Sequence, residues 1–276
     1  MKSFMEKAKQ SWMQQNSLLT LGLDPNPAYF PAHLKTNTSN AIYEFCRQMV
    51  DVCAEYTCAF KPQIAYFSSA SAEAQLEKLC AYIKQQYPNH LLILDTKRGD
   101  IGSTAEHYAK EAFERYQADA VTINPYMGFD SVAPFLEWKE KGVFILCRTS
   151  NPGGSAIQSL KLENGKPLYM HLAQLIAEKW NKNEQCGLVV GATFPNEINK
   201  IRQVVGDMPL LIPGIGAQGG DIQQTVTAGK DLHNQGMFIN SARAILYASQ
   251  TKDWLQAARM VAKNTQKSIS KALQIK

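Results

Sequence analysis

Runs of like charge are missing from this 276-residue chain. Its 29 Lys and Arg outnumber its 24 Asp and Glu by only five, and the excess is spread along the sequence. That pattern offers neither a basic stripe for nucleic acid nor a polybasic membrane patch, and it suits a small anionic ligand. Uninterrupted apolar runs near the ~20 residues of a membrane span are also absent. The N-terminus, MKSFMEKAKQ, is too polar for a secretory signal. The six cysteines form no C-x-x-C pair and sit mostly in apolar surroundings, which predicts buried free thiols in a reducing compartment. The five histidines show neither H-x-H nor H-E-x-x-H spacing, so a zinc site is not expected. These absences leave a soluble cytoplasmic protein as the default expectation. With 45% hydrophobic and 19% charged residues it can bury a large core without disulfides or structural metal.

Present instead are eight short apolar runs that read as buried strands: 17–23, 57–61, 91–97, 120–124, 142–148, 187–193, 209–214 and 236–241. Helical patterns lie between them. Over 40–56, Ile42, Phe45, Cys46, Met49, Val52 and Cys53 recur at steps of three and four on one face. Helices are also predicted over 71–86, 129–141, 167–181, 195–205 and 221–228. Another is predicted to open at Ser103, whose spacing to Glu106 is that of a capping box. Eight β-α units in one series predict a (β/α)8 TIM barrel, an α/β fold, as a single domain over 1–276. A long doubly wound sheet is the alternative. An N-terminal helix is expected over 1–16 and a C-terminal one over 253–276. The turn-rich stretch 151–166 follows strand 5 and so falls on the catalytic rim. It reads as an active-site loop insertion or, alternatively, as a tolerated surface insertion.

In a barrel the C-terminal strand ends build the active site. Here they carry Asp24, Lys61, Asp95, Lys97 with Asp100 just beyond, Asn124, Thr149-Ser150, Thr193, a glycine-rich loop and Arg243. A lone charge at a strand end is ordinarily a solvated rim residue, and Asn124 before Pro125 an ordinary turn former. Convergence on one mouth gives the set its meaning. Asp95 and Lys97, two apart on a strand, share a face. With Lys61 on the neighbouring strand they form an alternating Lys-Asp-Lys array, with Asp100 available as a fourth member. Such charges are costly unless paired, and pairing keeps the ammoniums protonated. Pro213-Gly214-Ile215-Gly216-Ala217-Gln218-Gly219-Gly220 can bring backbone N–H groups close to an anion, and Arg243 can clamp a phosphate bidentately. The same loop matches G-x-G-x-x-G, but it follows seven strands, and the next strand ends in Asn240 where a dinucleotide site wants an acid.

At these residues the chain resembles the orotidine 5′-phosphate decarboxylases. Asp95-Thr96-Lys97-Arg98-Gly99-Asp100-Ile101-Gly102-Ser103-Thr104 is similar to the D-x-K-x-x-D-I-x-x-T signature of that family. Leu21-Gly22-Leu23-Asp24-Pro25, Phe60-Lys61-Pro62 and Pro213-Gly214-Ile215-Gly216-Ala217-Gln218 match further segments in order. The TSNPGG after strand 5 looks like the longer bacterial subgroup, often called type 2. The resemblance implies a homodimeric barrel converting orotidine 5′-phosphate to UMP and CO2 without metal or organic cofactor, in de novo pyrimidine biosynthesis. It implies Lys97 as proton donor, Asp95 against the substrate carboxylate, and Lys61 and Asp24 on the ribose side. It implies Asp100, Ile101 and Thr104 in the partner's site, Gln218 and Arg243 on the phosphate, and Ser150 on the pyrimidine edge. Besides a dinucleotide oxidoreductase using the G-x-G-x-x-G loop, two other readings stay open at this point. One is a metal-dependent sugar-phosphate lyase sharing D-x-K-x-x-D; the other is a non-catalytic nucleotide-phosphate binding protein.

Overall fold

A computed structural model of the chain describes residues 2–35, 40–215 and 220–274. Eight parallel strands, β1 (Leu19–Leu23), β2 (Ala59–Pro62), β3 (Leu91–Arg98), β4 (Ala120–Ile123), β5 (Gly142–Arg148), β6 (Cys186–Val190), β7 (Leu210–Pro213) and β8 (Met237–Ser241), pair in sequence order. β1 pairs with β8 as well as with β2, in the register Leu19↔Ile239, Thr20↔Asn240 and Leu21↔Ser241, so the sheet closes. That closure excludes the doubly wound alternative. The strands read as continuous apolar runs because both faces are covered, one by the barrel interior and the other by helices.

Helix α1 (Phe4–Gln15) packs under the N-terminal end of the barrel, where Trp12 meets Phe238 of β8 at 4.9 Å and Ser11 Oγ donates to the Cys58 carbonyl just before β2. It starts with a capping box in which Ser3 and Glu6 satisfy each other's backbone N–H groups. Phe4 is fully buried and meets Phe144 edge-on at 5.8 Å, a burial that contributes about 2–3 kcal/mol. Gly142 makes the close approach possible, since a Cβ there would stand 2.4 Å from the Phe4 ring.

Around the barrel run α2 (Ala41–Cys53), α3 (Glu73–Gln86), α4 (Gly102–Lys110), α5 (Leu168–Leu175), α6 (Pro195–Val205), α7 (Ile222–Gly229) and α8 (Trp254–Leu273), with shorter turns between. The periodic face read over 40–56 is buried through Ile42, Phe45, Cys46, Met49 and Cys53. Phe45 stacks on Trp254 of α8 at 5.4 Å.

Two local expectations fail. The helix predicted over 129–141 is only a 3-10 turn at Phe129–Ser131 and one helical turn at Ala133–Leu136. Beyond it Trp138 N–H bonds Phe135 and Lys141 N–H bonds Trp138, both i to i−3, so the chain turns tightly into β5. Ser103 does not cap α4. Gly102 opens that helix at φ +55°, Ile101 holds the cap position and has no side-chain acceptor, and Ser103 lies inside the first turn.

Candidate active site

The C-terminal strand ends surround a cleft of about 610 Å³. Asp24, Lys61, Asp95, Lys97, Ser150, Pro213, Gly214 and Arg243 all line it, so eight of the sequence-predicted residues converge. Asp95 lies at the centre. Lys61 Nζ reaches its Oδ2 at 2.5 Å, and Lys97 Nζ reaches its Oδ1 at 2.6 Å. Thr122 Oγ1 donates to the same Oδ1 at 2.8 Å. Lys61 and Asp95 are buried, whereas the Lys97 side chain is 42% exposed and stands at the lip.

The array does not arise from a regular strand. The β3–β4 register shifts between Leu94 and Arg98, and Lys97 is left-handed at φ +49°. A lysine rarely adopts that conformation, so the surroundings must hold it. Thr122 does so: its Oγ1 accepts N–H bonds from Thr96 (3.0 Å) and Lys97 (3.1 Å), while Thr96 Oγ1 donates to the Thr122 carbonyl at 2.8 Å. The bulge turns Lys97 back onto Asp95.

The electrostatics follow from enclosure and pairing. Burial works to raise the Asp95 pKa, but Lys61 and then Lys97 outweigh it and hold the carboxyl well below the usual carboxylate range. Burial likewise works to lower the Lys61 pKa; Asp95 and Asp24 outweigh it and push the ammonium up. Both groups therefore stay charged at neutral pH. Asp24 behaves oppositely. Burial raises its pKa, opposed chiefly by Lys61, and its Oδ1 is buried with no hydrogen-bond partner among the described residues. An orphan acceptor beside a cleft is suited to a ligand hydroxyl.

On the opposite wall Pro213 and Gly214 leave β7. Ile215 bridges to Gly220, closing the base of the glycine-rich loop, and Gly214 is left-handed at φ +108°. A Cβ on Gly220 would stand 2.6 Å from the Ala192 side chain and 2.9 Å from the Gly214 carbonyl, so the base admits no side chain there. The predicted phosphate residues Gly216 and Gln218 lie outside the described residues. Arg243 opens the short helix Arg243–Leu246 after β8. Tyr247 beyond it donates to the Asp24 carbonyl at 2.6 Å and accepts from Asn26 N–H at 2.7 Å, tying the loops after β8 and β1 together.

Asp100, Ile101 and Thr104 do not line this cleft. The expectation that Asp100 is a fourth member of the charge array fails within the chain. Asp100 lies past the bulge, where its Oδ1 accepts the Ile101 N–H at 2.8 Å. Ile101 and Thr104 are exposed, Ile101 by 48%. Asn124 is the turn former its alternative reading describes, its Oδ1 accepting from Tyr126 N–H. Sequence reasoning missed Thr122, Arg148, Gln158 and the role of Asn240 in the cleft wall. The signal for Thr122, Arg148 and Asn240 was a polar residue inside an otherwise apolar strand run. Gln158 had none. Among the described residues, no three His, Cys, Asp or Glu side chains group as metal ligands, and no helix is long and apolar enough to cross a membrane.

Residues 17–259 match the sequence profile of the orotidine 5′-phosphate decarboxylase / HUMPS family. The chain is 61% identical over 269 residues to the orotidine 5′-phosphate decarboxylase of Cupriavidus metallidurans, covering 98% of both. It is 58% identical to that of Bordetella petrii, covering 97% of this chain and 98% of the relative. Among solved structures it superposes on the OMP decarboxylase of Leishmania donovani with a TM-score of 0.82 at 33% identity, covering 97% of this chain and 99% of the other.

Proposed function

The chain belongs to the orotidine 5′-phosphate decarboxylase / HUMPS family, and we propose that it converts orotidine 5′-phosphate to UMP and CO2 as a carboxy-lyase of pyrimidine nucleotide synthesis. The observation that carries this reading is the ion-paired array Lys61–Asp95–Lys97, with a cation on each Asp95 oxygen at the barrel mouth.

Breaking the bond between C6 and the carboxylate leaves an electron pair in the ring plane, outside the π system. That pair cannot delocalise into the pyrimidine, so fixed charge must stabilise it. The Lys97 ammonium does so and then transfers a proton from Nζ to C6; solvent returns the proton to Nζ. Asp95, kept ionised by its two lysines, faces the substrate carboxylate, and that repulsion is relieved as CO2 departs. No step runs through a metal or organic cofactor. Lys61 and the unpaired Oδ1 of Asp24 bind the ribose hydroxyls. Ser150 reads the pyrimidine edge. Pro213, Gly214, Gly216, Gln218 and Arg243 hold the phosphate, whose binding energy excludes water around the ring.

The working unit in this reading is a homodimer. Asp100, Ile101 and Thr104 lie outside their own chain's cleft, and the adjoining loop after β4 exposes Tyr126, Met127 and Phe129. This apolar rim suits a second copy, into whose cleft Asp100 and Thr104 reach. Six buried cysteines, all unpaired, fit a reducing cytoplasm.

The test is direct. Purified protein with orotidine 5′-phosphate and excess EDTA should change the ultraviolet absorbance of the pyrimidine as UMP forms. No change with EDTA, but turnover of a sugar phosphate when Mg2+ is restored, would transfer the chain to the metal-dependent lyases of the same barrel class. Neither reaction, with UMP still bound, would make it a nucleotide-phosphate binding protein.

A further inference from the structure

Arg148 is the largest fully buried side chain among the described residues. It ends β5, where the β5–β6 register shifts between Leu146 and Arg148. A buried guanidinium is costly unless its donors are paired, and here they are. Nε donates to Glu197 Oε2 on α6. Nη1 donates to the Thr149 carbonyl at 3.1 Å and to Gln158 Oε1 at 3.2 Å, and Nη2 donates to Ser155 Oγ at 2.9 Å. The guanidinium also lies 3.9 Å above the centre of the Phe194 ring.

Three of the four hydrogen bonds go to one segment, the loop that leaves β5. Gln158 Oε1 accepts the Thr149 N–H as well, at 2.9 Å, and Gln158 Nε2 donates to Thr149 Oγ1 at 2.8 Å. The loop is thus closed on itself around the guanidinium. The same loop supplies Ser150, Asn151, Ile157 and Gln158 to the cleft wall. Ser150 is set against the next strand end as well, since a Cβ on Gly191 would stand 2.6 Å from its backbone N. Two of its acceptors, Thr149 and Gln158, themselves line the cleft, so the guanidinium braces the wall directly.

We propose that Arg148, with Glu197 as its counter-charge, is a positioning residue for the base end of the substrate: it fixes the loop over residues 149–158 so that Ser150 meets the pyrimidine edge. This rests on the decarboxylase reading above. In this proposal the first part of the turn-rich stretch after strand 5, which lines the cleft through Asn151, Ile157 and Gln158, acts as a binding wall.

The test compares two ligands on Arg148→Met and Glu197→Gln. UMP carries a pyrimidine; ribose 5-phosphate lacks it and uses only the sugar and phosphate contacts. Arg148→Met should weaken UMP inhibition about tenfold or more, while ribose 5-phosphate inhibition changes by less than about twofold. The kcat/KM for orotidine 5′-phosphate should fall chiefly through KM. Glu197→Gln, which keeps the guanidinium but removes its counter-charge, should show the same selectivity more weakly. Equal losses for both ligands would reduce Arg148 to a general structural role, and unchanged UMP inhibition would remove it from positioning altogether. If Arg148→Met does not fold, Glu197→Gln together with Ser155→Ala decides by the same ratio. Failure of the wild-type protein to turn over orotidine 5′-phosphate would instead overturn the decarboxylase reading, so the two failures are distinct.

Discussion

Lys97 does two unlike things at one position. Its ammonium pairs with Asp95, and its backbone sits at φ +49°. Lys97→Ala should lower kcat by at least about 10⁴-fold, through loss of both charge stabilisation and the proton donor, while UMP still binds. Residual decarboxylation near the wild-type rate would remove Lys97 from the donor role. Lys97→Gly should be equally inactive yet more stable than Lys97→Ala by about 1 kcal/mol, because only the alanine keeps a Cβ in the left-handed region. Thermal melts of the two variants check this, and an alanine variant at least as stable as the glycine one would mean that the bulge stores no strain. Asp24 gives a pH signature. Its raised pKa means that the free protein protonates it at a higher pH than an exposed Asp would need. A protonated Asp24 is a poorer acceptor for a ribose hydroxyl, so on acidification UMP affinity should begin to fall at a higher pH than an exposed Asp would give. Asp24→Asn should lack that limb. The phosphate of UMP titrates in both proteins and cancels in the comparison; superimposable pH curves would exclude Asp24 from the ribose contact.

At the scale of elements, the strands could be read from the sequence and the bulges could not. LLILDTK announces a buried strand that ends in charge, because a parallel barrel strand is apolar until it reaches the mouth. Alternation alone then places Asp95 and Lys97 on one face, and the two do meet, but through a register shift that no residue pattern declares. The device that sets the shift is a single hydroxyl on the neighbouring strand, Thr122, whose polarity within AVTIN marks it as unusual but does not say which backbone it holds. The helices failed where propensity and geometry disagree. Phe129 to Lys141 has a helical composition, but it must turn into β5 at Gly142 and uses i to i−3 bonds to do so. Thr122→Val preserves shape and removes the hydroxyl. It leaves the Thr96 and Lys97 N–H groups without their acceptor and Asp95 Oδ1 with Lys97 as its remaining donor. The expected cost is about 1–3 kcal/mol of stability and a loss of roughly 10- to 100-fold in kcat, since Lys97 is then less well aimed. A stability loss of that size with kcat intact would show that Thr122 supports the strand without aiming the lysine.

Eight apolar runs made a barrel legible in the whole molecule but left a doubly wound sheet open, and the pairing of β1 with β8 decides between them. A second copy is implied only by the resemblance, because a surface for a partner leaves no periodicity in the sequence. Yet the chain divides its signature in two: Asp95 and Lys97 point into the cleft, whereas Asp100, Ile101 and Thr104 stand outside it. If Asp100 completes the partner's site, Lys97→Ala and Asp100→Ala should complement each other. A dimer of one Lys97→Ala chain and one Asp100→Ala chain has one site lacking both groups. Its other site takes Lys97 from the second chain and Asp100 from the first, and is complete. Random exchange of equal amounts makes half the dimers mixed, each with one working site in two, so activity should recover to about a quarter of wild type. Each variant alone should stay far below that level. Exchange can be verified by mass spectrometry of the intact dimers. Verified mixed dimers that remain as inactive as the parents would place Lys97 and Asp100 in the service of the same chain's cleft, and the second copy would then contribute nothing through Asp100.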